Sequence, residues 1–368
     1  MNTSEKKVLW NSNISRRTFI KAGIAGAATV GVISAAGYQG YEFFKTVDVK
    51  GRILIIGGGA AGCSMAARLS RRIEHPDITI VDPSDRQFYQ PGFTFIAAGI
   101  FKPDEVWRPQ KDYIPQGVKW VKDVVVALDP VKQVARTSKG ETLQYDFLVL
   151  CPGIQLNWNK VEGISQKTLG QGNAHCIYDF EGAQKFWPAM QELTTKGGRG
   201  VFTDTYTKHK CGGAPKKVCM LTEHMARKKG TRDSLRLDYF CSEKALYDVP
   251  YYTPRLLQIY DERNINLSLN CRVTGIDTQA KRVYMERHTT EKQQVWDEAT
   301  GGMIEQETKT VTPFVEDYDF LSFVPPQSAP DFVKESGLSW TEGKLAKDGW
   351  VMVDEETLVH LLYPTIIS

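Results

Sequence analysis

A cysteine set among cations and glycines is the feature of this sequence most suited to chemistry. Residues 208–217 read KHKCGGAPKK, with Cys211 between lysines and ahead of a predicted helix. Two chemistries fit this pattern: a glycine loop that cradles a phosphate, or a cysteine held as its thiolate, which is the nucleophilic form. The pattern is short of a phosphate loop because its glycines are few and Pro215 lacks an N–H. Cys211 is therefore predicted to be a nucleophile.

The helix after this cysteine determines how it is aimed. Pro215 is predicted to be the first helical residue, where its missing N–H costs nothing. Val218, Leu221 and Met225 recur at helical spacing. Gly230 is a predicted helix end. A helix N-terminus and nearby cations both favour a thiolate. The lysines expected to supply that charge are Lys208, Lys210 and Lys216.

A glycine-rich turn predicts a dinucleotide site near the start of the fold. Residues 53–56 are an apolar run of strand formers, followed by Gly57-x-Gly59-x-x-Gly62 and a helical pattern over 64–69. A strand before and a helix after are the context that this fingerprint requires. Gly57 permits a tight turn, Gly59 lets backbone amides approach a pyrophosphate, and Gly62 lets helix and strand pack closely.

Two further positions extend this site and favour FAD. Asp82 ends a second strand, twenty residues after Gly62, where an acidic side chain accepts from ribose hydroxyls and argues against a 2′-phosphate. A third strand runs from residue 145 to a glycine turn at Gly153. That turn resembles the second FAD signature of flavoproteins with two dinucleotide-binding domains, with Cys151-Pro152 replacing the usual residues. The N-terminal position of the fingerprint also favours FAD over NAD.

Composition limits the classes of function. The chain has 368 residues, is 42% apolar and carries a net charge of +3, which is too small to predict nucleic-acid binding. Its seven cysteines show neither metal-ligand spacing nor the density of a disulfide scaffold. No metal site is predicted. Apart from Cys211, the cysteines are expected to pack in the core, with Cys151 as an alternative third thiol because it follows a strand directed at the flavin site.

The N-terminal residues 1–46 are expected to lie outside the fold. Arg16 and Arg17 precede an uncharged, glycine- and alanine-rich run over 22–37. The run is short and weakly apolar for a spanning helix, and the paired arginines resemble a twin-arginine export signal. This predicts export after folding, to the periplasm or the outer face of the cytoplasmic membrane. A retained anchor is the alternative to a cleaved signal.

Several segments resemble the sulfide:quinone oxidoreductases, particularly the branch that includes the mitochondrial enzyme. Residues 82–99, with a Tyr-Gln-Pro segment after the ribose-binding acid, carry the resemblance most specifically. It extends in order from about residue 51 to the last residue. The other matching segments are KCGGAP at 210–215, FVPPQSAP at 323–330, GWVMVD at 349–354 and Tyr363-Pro364.

The resemblance implies roles for individual residues. Cys211 would be one of two redox cysteines that oxidise sulfide, pass electrons to FAD and release sulfur to an acceptor, while a membrane quinone takes the electrons. The residues implied to hold FAD are Ala60 and Ala61 at the pyrophosphate, Asp82 at the ribose, Gln90 near the flavin and Val125 at the adenine through its backbone.

The predicted fold is α/β with two Rossmann-like dinucleotide-binding domains. The FAD domain covers 51–158 and resumes at 319–368, and the inserted domain covers 159–318. Gly197-Gly-Arg-Gly200 comes before the strand at 201–202 and not after it. The inserted domain is therefore expected to be vestigial and to bind no nicotinamide cofactor.

One departure from the family pattern opens alternatives. Relatives continue beyond the position of Ser368 to a flavin-binding Gly-Asp, a second redox cysteine and membrane-contacting helices, so the sequence is expected to be truncated. The alternatives are a flavocytochrome-type sulfide dehydrogenase that donates to cytochrome c, and a non-catalytic flavoprotein remnant. An NADH:quinone oxidoreductase is less favoured.

Overall fold

The computed structural model describes residues 46–298 and 301–368. The predicted export signal lies outside the described residues. The described chain divides into two compact units, the first formed by residues 46–88, 107–155 and 329–368, the second by residues 89–106 and 156–328. None of the helices in the described part of the chain combines the length and apolar character needed to cross a bilayer.

The first unit is built on a parallel five-stranded sheet with strand order β20-β9-β1-β2-β5. The strands of the first unit, including those outside this sheet, are β1 Arg52–Ile56, β2 Asp77–Val81, β3 Arg86–Phe88, β4 Trp107–Pro109, β5 Lys119–Val121, β6 Val125–Asp129, β7 Val134–Thr137, β8 Thr142–Gln144, β9 Phe147–Leu150 and β20 Ile366–Ile367. Helices α1 Ala60–Arg72 and α6 Asp331–Glu335 complete it. Strands β6, β7 and β8 form an antiparallel meander.

Strand β1 is buried on both faces, as its continuous apolar sequence predicts. Ile53 and Ile55 pack in one core cluster, whereas Leu54 and Ile56 pack in another. Successive side chains of a strand point to opposite faces, so both faces of this sheet are covered. Because β1 is buried on both faces, the position of its last residue is fixed, and so is the start of the glycine turn that follows.

The second unit has a parallel five-stranded sheet with strand order β11-β18-β12-β13-β14. The strands of the second unit, including those outside this sheet, are β11 Ala174–His175, β12 Gly198–Thr203, β13 Leu235–Phe240, β14 Ile265–Ser268, β15 Cys271–Asp277, β16 Arg282–Asp297, β17 Gly302–Asp317, β18 Phe320–Ser322 and β19 Gln327–Ser328. Strand β10 Gln155–Leu156 has its first residue in the first unit and its second residue in the second unit. The helices of the second unit are α2 Gly92–Ala97, α3 Phe180–Lys196, α4 Ala214–Lys229 and α5 Thr253–Glu262. Strands β15, β16 and β17 form an antiparallel sheet.

The predicted fold class is confirmed, since each unit carries a parallel sheet with α/β crossovers. The limits of the units differ from the predicted domain limits, by three residues where the second unit resumes at 156 instead of 159, and by more at two other places. Strand β18 pairs with β11 and β12, so the chain leaves the second unit after Ser328 and not at residue 318. Residues 89–106 also belong to the second unit, where α2 packs beside α3 and α4.

Candidate functional site: a dinucleotide turn and an exposed cysteine

The glycine turn after β1 has the close packing that its sequence predicts. Gly57 has φ +100°, and a Cβ there would lie 2.1 Å from the carbonyl oxygen of Cys151. A Cβ at Gly62 would lie 1.8 Å from the carbonyl oxygen of Gly57. Both positions therefore require glycine, the first for its conformation and the second for the approach of α1 to the turn.

The start of α1 is open in the way a phosphate site requires. Gly59 is the N-cap residue, and no described side chain caps the helix there. A Cβ at Gly59 would meet no described atom within 4 Å. The first N–H groups of a helix lack internal partners and attract anions. The amides of Ala60 and Ala61 are thus placed to hold a pyrophosphate, and this turn fits FAD.

Asp82 fastens the glycine turn as well as facing the site. Its Oδ2 accepts the Gly58 N–H at 2.6 Å, and its Oδ1 accepts the Ser84 N–H at 2.7 Å. Each carboxylate oxygen keeps a second lone pair that could accept a ribose hydroxyl. The buried Gln110 donates to the Gly58 carbonyl oxygen at 2.6 Å. The sequence pattern does not predict this role of Gln110, because Gln110 lies 52 residues from Gly58 in the chain and no local motif marks it.

Three of the predicted FAD residues line one cavity of about 430 Å³ in the first unit: Gly57, Asp82 and Val125. Pro152 also lines it, and the following Gly153 has φ +77°, which turns the chain after β9. Cavities of this size hold small ligands or parts of larger cofactors. The ends of β1 and β2 and the start of β6 line this cavity. It therefore lies where the ribose and adenine contacts are predicted.

The structure argues against Cys151 as a third reactive thiol. Burial raises the pKa of Cys151 to about 12, and the neighbouring Cys63 and Asp82 add to the shift. A protonated thiol is a poor nucleophile. Cys63 is buried, as predicted, and its thiol donates to the Gly58 carbonyl oxygen at 3.0 Å. These two cysteines pack and support the turn.

Cys211 lies exposed at the start of α4, in the second unit. The helix runs over Ala214–Lys229, so it begins one residue before the predicted first residue, Pro215. Gly230, which has φ +73°, caps its end as predicted. Cys211 has φ +52°, in the left-handed region that non-glycine residues seldom adopt. Its carbonyl oxygen accepts the Ala214 N–H at 2.9 Å and the Tyr178 hydroxyl at 3.0 Å.

The lysine beside the cysteine sulfur is Lys217, which is not one of the three lysines predicted to supply positive charge there. Its Nζ lies 3.7 Å from the Cys211 Sγ. Of the three lysines predicted there, Lys216 turns inward to Asp204, and Lys208 lies 3.9 Å from Asp248. Side chains of a helix tilt toward its N-terminus, so the position of Lys217 in the first turn was the available signal.

The third predicted lysine, Lys210, joins Cys211 to the predicted flavin-contacting residue Gln90. Lys210 Nζ donates to the Gln90 side-chain oxygen and lies over the rings of Phe93 and Tyr178. Burial lowers the pKa of Lys210, while the nearby cysteines oppose the shift. These groups border a cavity of about 260 Å³. Its lining residues are Gln90, Pro91, Phe93, Thr94, Ile177, Tyr178, Lys210, Cys211, Ala214 and Lys217. The lining has two cations and no carboxylate, so it suits a small anion.

A buried ion pair lies between the end of β12 and the first turn of α4. Asp204 Oδ2 accepts from Lys216 Nζ at 2.9 Å, and Asp204 Oδ1 accepts the Ser242 N–H at 2.7 Å. In a dinucleotide-binding unit this place is occupied by a glycine turn that admits a pyrophosphate. Here side chains hold it, in keeping with the expectation that the second unit binds no nicotinamide cofactor.

Comparison with known proteins places this geometry in a class. A family described as pyridine nucleotide-disulphide oxidoreductase matches residues 51–186. The solved structure of the sulfide:quinone oxidoreductase from the bacterium Aquifex aeolicus superposes with a TM-score of 0.64 and 20% identity, covering 86% of this chain and 67% of that chain. The match confirms a shared fold, that of the pyridine nucleotide-disulphide oxidoreductases.

Two curated relatives narrow the class to a family. The mitochondrial sulfide:quinone oxidoreductase of Dictyostelium discoideum is 31% identical over 339 residues, which are 92% of this chain and 69% of that protein. The enzyme of the same name from Mus musculus is 33% identical over 317 residues, 86% of this chain and 64% of that protein. The chain belongs to the sulfide:quinone oxidoreductase family, which consists of FAD-dependent flavoprotein enzymes. It spans about two thirds of the length of these relatives.

Proposed function

We propose that this chain oxidises sulfide at Cys211 and passes the electrons by way of FAD to a quinone. The observation that carries the proposal is the position of Cys211. It is the exposed cysteine among seven free ones, and it borders a cavity lined by Lys210 and Lys217. An accessible sulfur in a cationic setting suits attack on, or by, a small anionic sulfur compound.

The glycine turn of the first unit would hold the cofactor. Gly59 and the amides at the start of α1 would bind the pyrophosphate, Asp82 the ribose and Val125 the adenine. Gly153, with φ +77°, turns the chain directly after β9 and Pro152, next to this site. When bound, FAD supplies the two-electron acceptor that the oxidation of sulfide needs.

Cys211 would take up the sulfur as a persulfide. A thiolate and a hydrosulfide ion would give a persulfide anion, one proton and two electrons, and FAD, when bound, would be the acceptor for those two electrons. Both the thiolate that enters this step and the persulfide that leaves it are anions, so Lys217, whose Nζ lies 3.7 Å from the Cys211 Sγ, would stabilise both. A separate sulfur acceptor then removes the outer sulfur and restores the thiolate.

The quinone as final acceptor is supported by the names of the relatives from Dictyostelium discoideum and Mus musculus. A flavocytochrome-type enzyme would instead donate to a cytochrome c. Purified chain loaded with FAD should reduce a soluble quinone analogue when sulfide is added. Cytochrome c supplied as the sole acceptor should stay oxidised, and its rapid reduction without quinone would favour the alternative.

The role of Cys211 is tested in the same assay. Cys211→Ser should abolish sulfide-dependent quinone reduction while the protein keeps its FAD. Cys271→Ala is the matched control, because Cys271 is a buried cysteine of the same unit. If purified wild-type chain binds no FAD and reduces no acceptor, it is a non-catalytic remnant, and the proposed function fails.

A further inference from the structure

The buried pair of Asp204 and Lys216 is anchored to the sheet of the second unit. Asp204 is 3% exposed and Lys216 is 5% exposed. Besides the Lys216 ammonium, the Asp204 carboxylate accepts the Ser242 N–H at 2.7 Å and the Tyr239 hydroxyl at 3.2 Å. Tyr239 belongs to β13, and Ser242 follows it closely. The carboxylate is therefore fixed from the sheet side by two further donors.

The same pair reaches the turn that carries the cysteine. Lys216 Nζ donates a second hydrogen bond, at 3.0 Å, to the carbonyl oxygen of Gly212, the residue directly after Cys211. The ammonium also lies 5.4 Å from the centre of the Tyr239 ring. A chain of contacts thus runs from β13 through Asp204 and Lys216 to the peptide beside Cys211.

Cys211 needs such support because of its backbone conformation. A φ of +52° is sparsely populated for a non-glycine residue and persists only where surrounding contacts impose it. Two consecutive carbonyl groups are held here: that of Cys211 by the Ala214 N–H and the Tyr178 hydroxyl, and that of Gly212 by Lys216. With both peptides fixed, the direction of the cysteine side chain is fixed as well.

The surroundings of Asp204 favour its ionised form in the folded protein. Burial acts to raise the pKa of Asp204, but the charge of Lys216 and the Ser242 N–H outweigh it and leave the pKa below its usual value. A buried ion pair adds little net stability compared with apolar residues of similar size. Its geometry, directed at the cysteine turn, points to a role other than stability.

We propose that Asp204 and Lys216 are positioning residues that hold the Cys211 sulfur beside Lys217 at the mouth of the 260 Å³ cavity. The relevance to sulfide oxidation rests on the function proposed for Cys211, but the positioning itself does not. Loss of the pair should let the turn relax from the left-handed conformation and move the sulfur away from Lys217.

The test is the rate at which iodoacetamide alkylates Cys211 in the full chain, followed by mass spectrometry of its peptide between pH 6 and pH 9. Lys216→Met should slow alkylation at neutral pH by about tenfold, because small misplacements of a reacting group have large effects on rate. The pH profile should move to higher pH. Lys216→Arg, which keeps the charge and the donors, should restore most of the rate.

Two further variants separate positioning from stability. Arg199→Met breaks another ion pair with a buried carboxylate in the same unit, the one with Asp238, and should leave the alkylation profile unchanged. If Lys216→Met does not fold, Tyr178→Phe removes only the hydroxyl on the Cys211 carbonyl and should slow alkylation in the same direction.

Alkylation at the wild-type rate in folded Lys216→Met, or in folded Tyr178→Phe, would overturn the proposal. An equal effect of Arg199→Met would overturn it too. Alkylation needs neither sulfide nor FAD, so this result is independent of the proposed function. That function fails separately if Cys211→Ser still reduces quinone with sulfide.

Discussion

At the scale of single residues, the reactivity of Cys211 depends on which charged side chains lie near its sulfur in space, and not on which lie near it in sequence. Four lysines surround it in sequence, but one of them, Lys217, approaches its sulfur. Lys216 is buried on Asp204, and Lys210 donates to Gln90. The distinction matters because a cation stabilises a thiolate only over a short distance in water.

Lys217→Met should therefore slow alkylation of Cys211 at neutral pH, by up to about fivefold, since contacts between exposed charges are weak. Lys228→Met, an exposed lysine at the other end of α4, is the control and should react like wild type. Equal rates for Lys217→Met and wild type would show that Lys217 does not act on the sulfur.

The glycines of the dinucleotide turn make a second residue-scale prediction. Gly62→Ala should destabilise the fold by about 3 kcal/mol or prevent folding, because its Cβ would lie 1.8 Å from the Gly57 carbonyl oxygen. Gly59→Ala should fold normally, since its Cβ meets no described atom within 4 Å, but should lose FAD affinity. Thermal unfolding and flavin absorbance measure the two effects, and FAD bound at the wild-type level by Gly59→Ala would contradict the proposed pyrophosphate site.

At the scale of elements, helix α4 shows what sequence pattern reveals and what it leaves out. Pro215 predicted the start of the helix to within one residue, and Gly230 predicted its end correctly. The buried face was predicted less well: Val218 is buried, but Leu221 and Met225 are partly exposed, and Lys216 and Glu223 face inward. Apolar periodicity assumes that charged residues face water. Here Asp204 pairs with Lys216, and three arginines surround Glu223.

The end of α4 can be tested directly. Gly230 adopts φ +73°, which a residue with a Cβ adopts at a cost. Gly230→Ala should lower the free energy of unfolding by about 1 kcal/mol, measured by urea denaturation. Gly230→Asn should lose less, because asparagine tolerates the left-handed region. A larger loss for asparagine than for alanine would contradict this account of the helix end.

Long-range pairing explains where the units of the structure differ from the predicted domain limits. The sequence marks β1, the glycine turn and Asp82 by local patterns, and the structure brings these together as predicted. It does not mark β18 as a strand of the second unit, because the pairing of β18 with β11 and β12 depends on residues far away in the chain. The placement of residues 89–106 in the second unit and the role of Gln110 depend on long-range contacts in the same way.

At the scale of the whole molecule, the second unit contains a buried histidine that should make stability depend on pH. His175 is 2% exposed and packs against the rings of Phe186 and Phe320. Its ring nitrogens have no hydrogen-bond partner among the described residues. Burial lowers the pKa of His175 to about 4, and Lys185 adds to the shift.

The unfolded chain binds this proton near pH 6.5 and the folded chain near pH 4, so stability is lost as pH falls through this range. The His175 contribution approaches roughly 3 kcal/mol at the lower limit. His175→Phe should reduce the pH dependence of urea unfolding, whereas His224→Gln, at an exposed position, should not. The same loss on acidification in His175→Phe and wild type would contradict the assignment.

Export is the other proposal at this scale, and it concerns residues outside the described part of the chain. If residues 1–46 act as a twin-arginine signal, a reporter fused behind them should reach the periplasm. Replacing Arg16 and Arg17 with lysine should retain it in the cytoplasm. Periplasmic reporter with both lysines present would contradict this route.

The central claim is that Cys211 takes the sulfur of sulfide while FAD takes two electrons. The most direct measurement mixes FAD-loaded chain with sulfide in the absence of oxygen and quinone, then follows flavin absorbance and the mass of the Cys211 peptide. The flavin should bleach and one sulfur atom should be added at Cys211, with neither change in Cys211→Ser. Flavin bleaching at the wild-type rate in Cys211→Ser would contradict it.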